Sequence, residues 1–387
     1  MEKPTLKPKN INFSSGPCAK RPGWSIDILK NTPIGRSHRH KVCKEKLNEV
    51  IVKSKKILKL PDEYHVGIMT GSNTGALESA LWSLLGLKGV DILAWENFGK
   101  DWVTDVVNQL KIKDVNSHIA DYGKLPDLGK VNFDNDVIFT WNGTTSGVRV
   151  PDANWIPDER KGLTICDATS GIFAMEMDYK KLDVITWSWQ KVLGGEASHG
   201  MLALSPRAVE RLETYTPPWP IPKIFRLAKE QKFNKDIFSG ATINTPSMLC
   251  VEDVLYSLNW AESIGGIEEL INISKRNLEI VKKWIERSEL FEFLAQDRET
   301  ISSTSICIVP KDEWFKNLEQ DAKVNFMKEV CSEIEKNEAG YDLNSYKTAP
   351  PGIRIWGGST VENEDVEKVL PWIDWAYNFV KEKHTNE

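Results

Sequence analysis

Between residues 65 and 206, short apolar runs alternate with helical or turn-forming stretches, and this rhythm constrains the fold more than any other feature of the chain. The runs 65–69, 91–95, 137–141, 163–166, 184–189 and 201–204 are candidate strands, and most are followed by a polar turn that carries glycine. Such a pattern predicts an α/β domain built on a mostly parallel sheet. In open sheets of this kind, ligands gather beyond the carboxyl ends of the strands. Chemistry is therefore to be sought in segments 71–75, 96–99, 142–147, 167–171 and 190–195.

At 387 residues the chain exceeds what one hydrophobic core usually organises, so two domains are expected. The stretch 215–245, with Pro217, Pro218, Trp219, Pro220 and Pro222, reads as an irregular excursion. Beyond it, periodicity predicts helices over 247–264 and 267–288, a strand over 301–309 and a closing helix over 365–383. We expect a large domain over residues 14–260, and a smaller C-terminal α+β domain over 261–387 that also takes residues 1–13.

Charge and composition exclude several classes. A net charge of -5 argues against nucleic-acid binding, so an anionic ligand must be held by a local basic cluster. The lysine-rich run 53–59 reads as the solvated face of a helix. The first twelve residues are polar, and apolar runs such as 76–87 are short and interrupted by Glu78 and Ser79. Neither a signal peptide nor a membrane segment is expected, which makes the cytoplasm the default compartment. The six cysteines lie far apart without a C-x-x-C pair, so we expect neither a metal site nor a disulfide framework, but mostly buried thiols.

Three elements carry chemistry. The loop Met69-Thr70-Gly71-Ser72-Asn73-Thr74-Gly75-Ala76 joins a strand to a helix expected to start near Gly75. Free backbone N–H groups and the positive end of a helix dipole suit a phosphate there. The loop has neither the lysine of a Walker loop nor the G-x-G-x-x-G spacing, which disfavours ATP and NAD. Asp167, at the end of a strand, either pairs with a cationic ring nitrogen or caps the next turn. Lys191, 24 positions later in Trp189-Gln190-Lys191, stands at the mouth of another strand and can form a Schiff base if its surroundings disfavour the ammonium. Pyridoxal phosphate (PLP) chemistry needs these three groups in one crevice, for the phosphate, the ring nitrogen and the aldehyde carbon.

Phe13-Ser14-Ser15-Gly16-Pro17, Ser37-His38-Arg39, Gln190-Lys191, Asn244-Thr245-Pro246 and Gly352-Ile353-Arg354 occur in an order and spacing that resembles the phosphoserine aminotransferases, class V enzymes of the fold-type I PLP-dependent group. The resemblance spans nearly the whole chain. It implies that Lys191 holds PLP and Asp167 binds its ring nitrogen. Asn73, Thr74 and Gln190 would hold the cofactor's phosphate, joined by Asn244 and Thr245 from a second subunit of a homodimer with shared active sites. Thr144 would lie near the ring. An aromatic residue would stack on it, with Phe98 at the matching position and Trp102 as the competitor.

On the substrate side, the resemblance makes Arg354 the clamp for the α-carboxylate. His38 and Arg39 become a pair that reaches the substrate's phosphate across the dimer interface. The family's His-Arg pair ahead of the carboxylate arginine is absent here. Tyr346-Lys347-Thr348 stands in that place, with Lys347 matching after a one-residue insertion. The implied reaction is reversible amino transfer between glutamate and 3-phosphohydroxypyruvate, giving 2-oxoglutarate and O-phospho-L-serine in serine biosynthesis. A related role on 4-phosphohydroxythreonine in pyridoxine biosynthesis is also implied. The alternatives are an alanine- or serine-glyoxylate type of class V aminotransferase and a noncatalytic PLP-binding protein.

Overall fold

The computed structural model describes residues 2–386. Its large sheet contains β1 (His65–Thr70), β2 (Val90–Ala94), β3 (Val115–Ile119), β4 (Asp136–Thr140), β5 (Thr164–Asp167), β6 (Val184–Ser188) and β7 (His199–Leu204). The strand order is β1-β7-β6-β5-β4-β2-β3. All pairings are parallel except those of β7, which runs antiparallel to both β1 and β6. Every position of β2, β4, β5, β6 and β7 is buried, because helices cover both faces. That is why these strands read as continuous apolar runs rather than as alternations.

Strand β3 was not among the expected strands, since Val-Asn-Ser-His-Ile offers no apolar run. It sits at the sheet edge, where pairing with β2 is reinforced by side chains that converge on buried Asp91. Asn116 donates to Asp91 at 3.0 Å and His118 Nε2 lies 2.7 Å from it. Asn132 N and Asn135 Nδ2 complete the set at 3.0 and 2.8 Å.

Helices α1 (Lys41–Leu58), α2 (Ser72–Leu84) and α3 (Asn97–Thr104) pack around this sheet. Helix α2 begins at Ser72 rather than near Gly75, because Gly71 takes up a left-handed conformation (φ 79°) and turns the chain three residues earlier. Asn73 and Thr74 therefore belong to the first helical turn. Gly75 packs so closely on the end of β1 that a Cβ there would overlap the Thr70 carbonyl. The lysine run of α1 is only partly a solvated face. Lys53 and Lys56 donate to Glu262 at 2.6 and 2.9 Å, Lys59 pairs with Glu268, and Lys55 caps the carbonyls of Asp62 and Tyr64.

Past a short α4 (Pro206–Thr214), residues 215–245 form 3-10 turns and a two-stranded ribbon, the irregular excursion that the prolines predict. Helices α5 (Met248–Ser263) and α6 (Ile267–Arg287) follow within a residue of their expected limits. They lead to an antiparallel sheet of β8 (Phe291–Phe293), β9 (Ser305–Pro310) and β10 (Ile353–Trp356). Strand β9 starts later than residue 301, because Ser302 Oγ accepts from the backbone of Thr304 and Ser305 and holds a turn there. The short helix α7 (Glu313–Lys316), the unanticipated α8 (Gln320–Lys336) and the closing α9 (Asn363–Asn386) complete this part. The N-terminal strand of chain runs across it: Trp372 Nε1 donates to Leu6 O at 2.8 Å and Lys9 N to Asp365 at 2.6 Å. Among the described residues, no helix is long and apolar enough to cross a membrane.

The Gly75 contact makes a prediction. Gly75→Ala forces apart the β1–α2 joint and lowers stability by about 1–3 kcal/mol, the range of overpacked cores. A urea-denaturation midpoint unchanged from the parent protein would refute the close packing.

Candidate active site

The carboxyl ends of β1, β2, β4, β5 and β6 surround a cavity of about 220 Å³. A larger groove of about 630 Å³, between Arg149, Glu176 and Lys282, shares no residue with it, and there Lys275 and Glu176 pair at 2.8 Å. Reactive groups instead converge on the smaller cavity. Lys191 lies just past β6, and its Nζ donates to Ser15 O at 2.5 Å. Gly16 passes so near that a Cβ would collide with the lysine's end, which explains a glycine at that place. Burial pushes the Lys191 ammonium below its usual range, and the Arg354 guanidinium adds to this. The Cys18 thiol, Asp167 and Glu96 pull the other way.

Asp167 closes β5 and is buried. Its Oδ1 accepts from Thr169 N at 3.0 Å and its Oδ2 from Trp102 Nε1 at 3.1 Å. Burial raises its pKa, while these donors and the Lys191 charge oppose the rise. Glu96, at the end of β2, is fully buried and caps α3: Oε1 accepts from Gly99 N at 2.8 Å. Its Oε2 accepts from Thr145 Oγ1 at 2.7 Å and from Thr145 N at 3.3 Å. Burial pushes this carboxyl up to about 7 despite those three donors.

The remaining wall is polar and cross-linked. Thr144 Oγ1 donates to Ser170 Oγ at 2.8 Å, and Asn142 Nδ2 donates to Ser170 Oγ at 2.9 Å and to Thr304 Oγ1 at 3.1 Å. Opposite, Gln190 Nε2 donates to Ser72 Oγ at 3.2 Å beside the start of α2. Six lining residues nevertheless keep a buried polar atom without a partner: Asn73, Thr140, Asn142, Thr169, Ser188 and Gln190. Buried polar groups in folded proteins are nearly always hydrogen-bonded. Their concentration around one cavity marks a place for a polar ligand. A helix start with Ser72, Asn73 and Thr74 suits its phosphate, Asp167 a cationic ring nitrogen, and Lys191 a carbonyl carbon. The residues thus fit PLP.

Of the residues singled out in the sequence, Asn73, Thr74, Phe98, Thr144, Asp167, Gln190 and Lys191 line this cavity. Arg354 stands beside it on β10, with Nη1 3.5 Å from Thr144 O and a buried Nε that has no partner. His38, Arg39, Asn244, Thr245 and Lys347 do not line it, and all but half-buried His38 are exposed. Trp102 and Phe98 both reach the cavity but differ in their contacts. The Phe98 ring faces Tyr346 at 5.7 Å, whereas the Trp102 indole N–H is committed to Asp167. Glu96, Asn142 and Ser170 were missed individually, although each lies in a strand-end segment named above. A strand-end carboxylate followed by Gly99 was the available signal for Glu96.

No family model matches the chain. It is 58% identical over 379 residues to the phosphoserine aminotransferase of Methanosarcina barkeri, covering 98% of this chain and 100% of that one. Among solved structures, it resembles a phosphoserine aminotransferase from Cytophaga hutchinsonii with a TM-score of 0.80 at 20% identity, over 94% of this chain and 98% of that one. A PLP-bound phosphoserine aminotransferase from Trichomonas vaginalis superposes with a TM-score of 0.74 at 17% identity, over 95% and 100%.

Glu96 supplies a pH prediction. Its folded pKa lies above its unfolded value, so its contribution to stability is present below about 4.5 and is lost as pH rises through about 7. Glu96→Gln removes this titration, and the urea midpoint of the cofactor-free variant should vary less across that window than the parent's. Parallel profiles for the two proteins would show that Glu96 is not the buried titrating group.

Proposed function

This chain belongs to the phosphoserine aminotransferase family, and from that premise we infer which of its residues carry the amino transfer between glutamate and 3-phosphohydroxypyruvate. The reaction is reversible, is PLP-dependent, and gives 2-oxoglutarate and O-phospho-L-serine. The observation that carries the assignment of residues is the meeting of Lys191, Asp167 and the start of α2 in one cavity rimmed by unpartnered polar atoms.

PLP, when bound, supplies an electron sink for the charge left when the substrate loses its Cα proton. Lys191 would hold the cofactor through its Nζ, and its free amine would take the proton from the substrate Cα as general base and deliver it as general acid to the cofactor's C4′. Burial supports this role by favouring the neutral amine. Asp167 pairs with the ring nitrogen. Asn73, Thr74 and Gln190 would hold the phosphate, Thr144 would lie by the ring, and Phe98 would stack on its face. Commitment of Trp102 to Asp167 favours Phe98 for that task. Arg354 clamps the α-carboxylate, supported by a guanidinium whose Nε is buried without a partner.

The rest of the site comes from a second copy of the chain. Asn244 and Thr245 reach the partner's cofactor phosphate, and His38 and Arg39 its substrate phosphate. Two features support this arrangement. These residues lie outside their own chain's cavity, and large apolar side chains within five positions of them in sequence are exposed, Ile34 at 69% and Leu249 at 42%. Lys347 adds a cation from the loop whose neighbours, Tyr346 and Thr348, face Phe98 and Tyr122. The same clamp accommodates 4-phosphohydroxythreonine, a second small phosphorylated amino acid. We also divide the chain into a large domain over 14–260 and a small one over 261–387 with residues 1–13. The hydrogen bonds of Leu6 and Lys9 to α9 support placing the N-terminus with the small domain.

Three experiments test these assignments. Lys191→Ala should bind PLP without a covalent link and lose amino transfer by about 10²–10⁴-fold or more. Borohydride reduction of the native holoenzyme followed by peptide mapping should label Lys191, and a label on another lysine overturns the assignment. Mixing Lys191→Ala with Arg39→Ala subunits under exchange conditions should restore activity, since one site of each mixed dimer is intact. Demonstrated exchange without recovery would place Arg39 in its own subunit's site.

A further inference from the structure

We propose that Trp102 is a positioning residue for Asp167: its indole N–H, carried on α3, fixes one carboxylate oxygen so that Asp167 meets the cofactor's ring nitrogen in a single orientation. This inference rests on the reading of Asp167 as the partner of that nitrogen. The geometry assigns two donors from two separate elements to the two oxygens. Trp102 Nε1 serves Oδ2 at 3.1 Å, and Thr169 N, in the turn after β5, serves Oδ1 at 3.0 Å. Donors on both oxygens restrict rotation of the carboxylate about its Cβ–Cγ bond. An indole N–H is a donor only, and cannot change its role as a hydroxyl or histidine can.

The helix that presents Trp102 is itself held. Glu96 caps α3 through Gly99 N and ties it to Thr145, the neighbour of the lining residue Thr144. Phe98 and Trp102 are four residues apart, so one face of α3 delivers both to the cavity, one turn apart. The two aromatic residues then divide the work: Phe98 faces the ring and Trp102 serves the carboxylate behind its nitrogen. Trp102 is only 5% exposed, so water does not compete for the N–H.

Electrostatics adds a measurable signature. Burial favours the neutral acid form of Asp167, and Lys191 is the cation that opposes it from the adjacent strand end. Glu96 at the end of β2 and Cys166 within β5 are the other titratable groups coupled to Asp167, and neither brings positive charge. Donation by Trp102 lowers the pKa of the carboxyl, so loss of the N–H moves it further up. Affinity for PLP that depends on an ionised Asp167 should then be lost at a higher pH on acidification.

The test is the dissociation constant for PLP, titrated on cofactor-free enzyme across the acid range, with Trp102→Phe, Asp167→Ala and the double variant. Trp102→Phe should raise Kd roughly 10- to 100-fold, as for a hydrogen bond to a charged group, and shift the acid limb to higher pH. In the Asp167→Ala background the same substitution should change Kd less than twofold. Replacing Trp102 by benzothienylalanine, which keeps the shape but not the N–H, should reproduce the shift even if Trp102→Phe folds poorly. An unmoved acid limb, or an equal effect of Trp102→Phe with and without Asp167, makes Trp102 a packing residue and overturns the proposal. Asp167→Ala with parental PLP affinity overturns the reading of Asp167 itself, and the role of Trp102 with it.

Discussion

The site depends on holding a lysine and an aspartate away from water beyond the ends of adjacent strands. Asp167 ends β5 and Lys191 lies in the turn just past β6, and because these strands pair in parallel the sheet brings the two residues to the same edge. Burial disfavours the charge on each, and each in turn stabilises the charge on the other. Close packing maintains that balance. The backbone at Gly16 presses on the lysine's end, and Ser15 O accepts a hydrogen bond from its Nζ, so the amine has little freedom to reach solvent.

The same packing leaves buried polar atoms on the cavity wall without protein partners. Unpartnered polar atoms on Asn73, Thr140, Asn142, Thr169, Ser188 and Gln190 are each costly to bury, on the order of 1–3 kcal/mol. A ligand that satisfies them stabilises the folded chain by linkage. The wall also has a rigid and a responsive part. Asn142, Thr144, Ser170 and Thr304 bond to one another. Glu96, by contrast, joins α3 to Thr145 through a carboxyl that titrates near neutrality.

How much of this was legible in the sequence follows from which interactions are local. Strand ends were readable because runs buried on both faces stay apolar until the chain leaves the sheet, which placed Asp167 and Lys191 correctly. Edge strand β3 was not, since its stability comes from Asn116 and His118 reaching Asp91, a contact between residues more than twenty positions apart. The start of α2 was misplaced because Gly75 was read as a helix opener. Its function is instead close approach to Thr70, and Gly71 makes the turn. In the sequence Trp102 is only the competitor of Phe98 for stacking, and the fold alone brings its N–H to Asp167.

Residues that act on the substrate's phosphate follow a different logic. The chain carries a net charge of -5, so a substrate with two anionic groups is attracted only where cations are concentrated locally. Within one chain, Arg354 is the cation beside Lys191, and it bonds back to Thr144 O and leaves its Nε free. A single arginine can clamp one carboxylate, but not a carboxylate and a phosphate together. The second anion therefore needs a second source of cations. His38 and Arg39 are on an exposed segment flanked by Ile34, and Lys347 projects from the loop against Phe98 and Tyr122. If a second copy of the chain covers those apolar side chains and receives those cations, assembly would be coupled to selection of phosphorylated substrates.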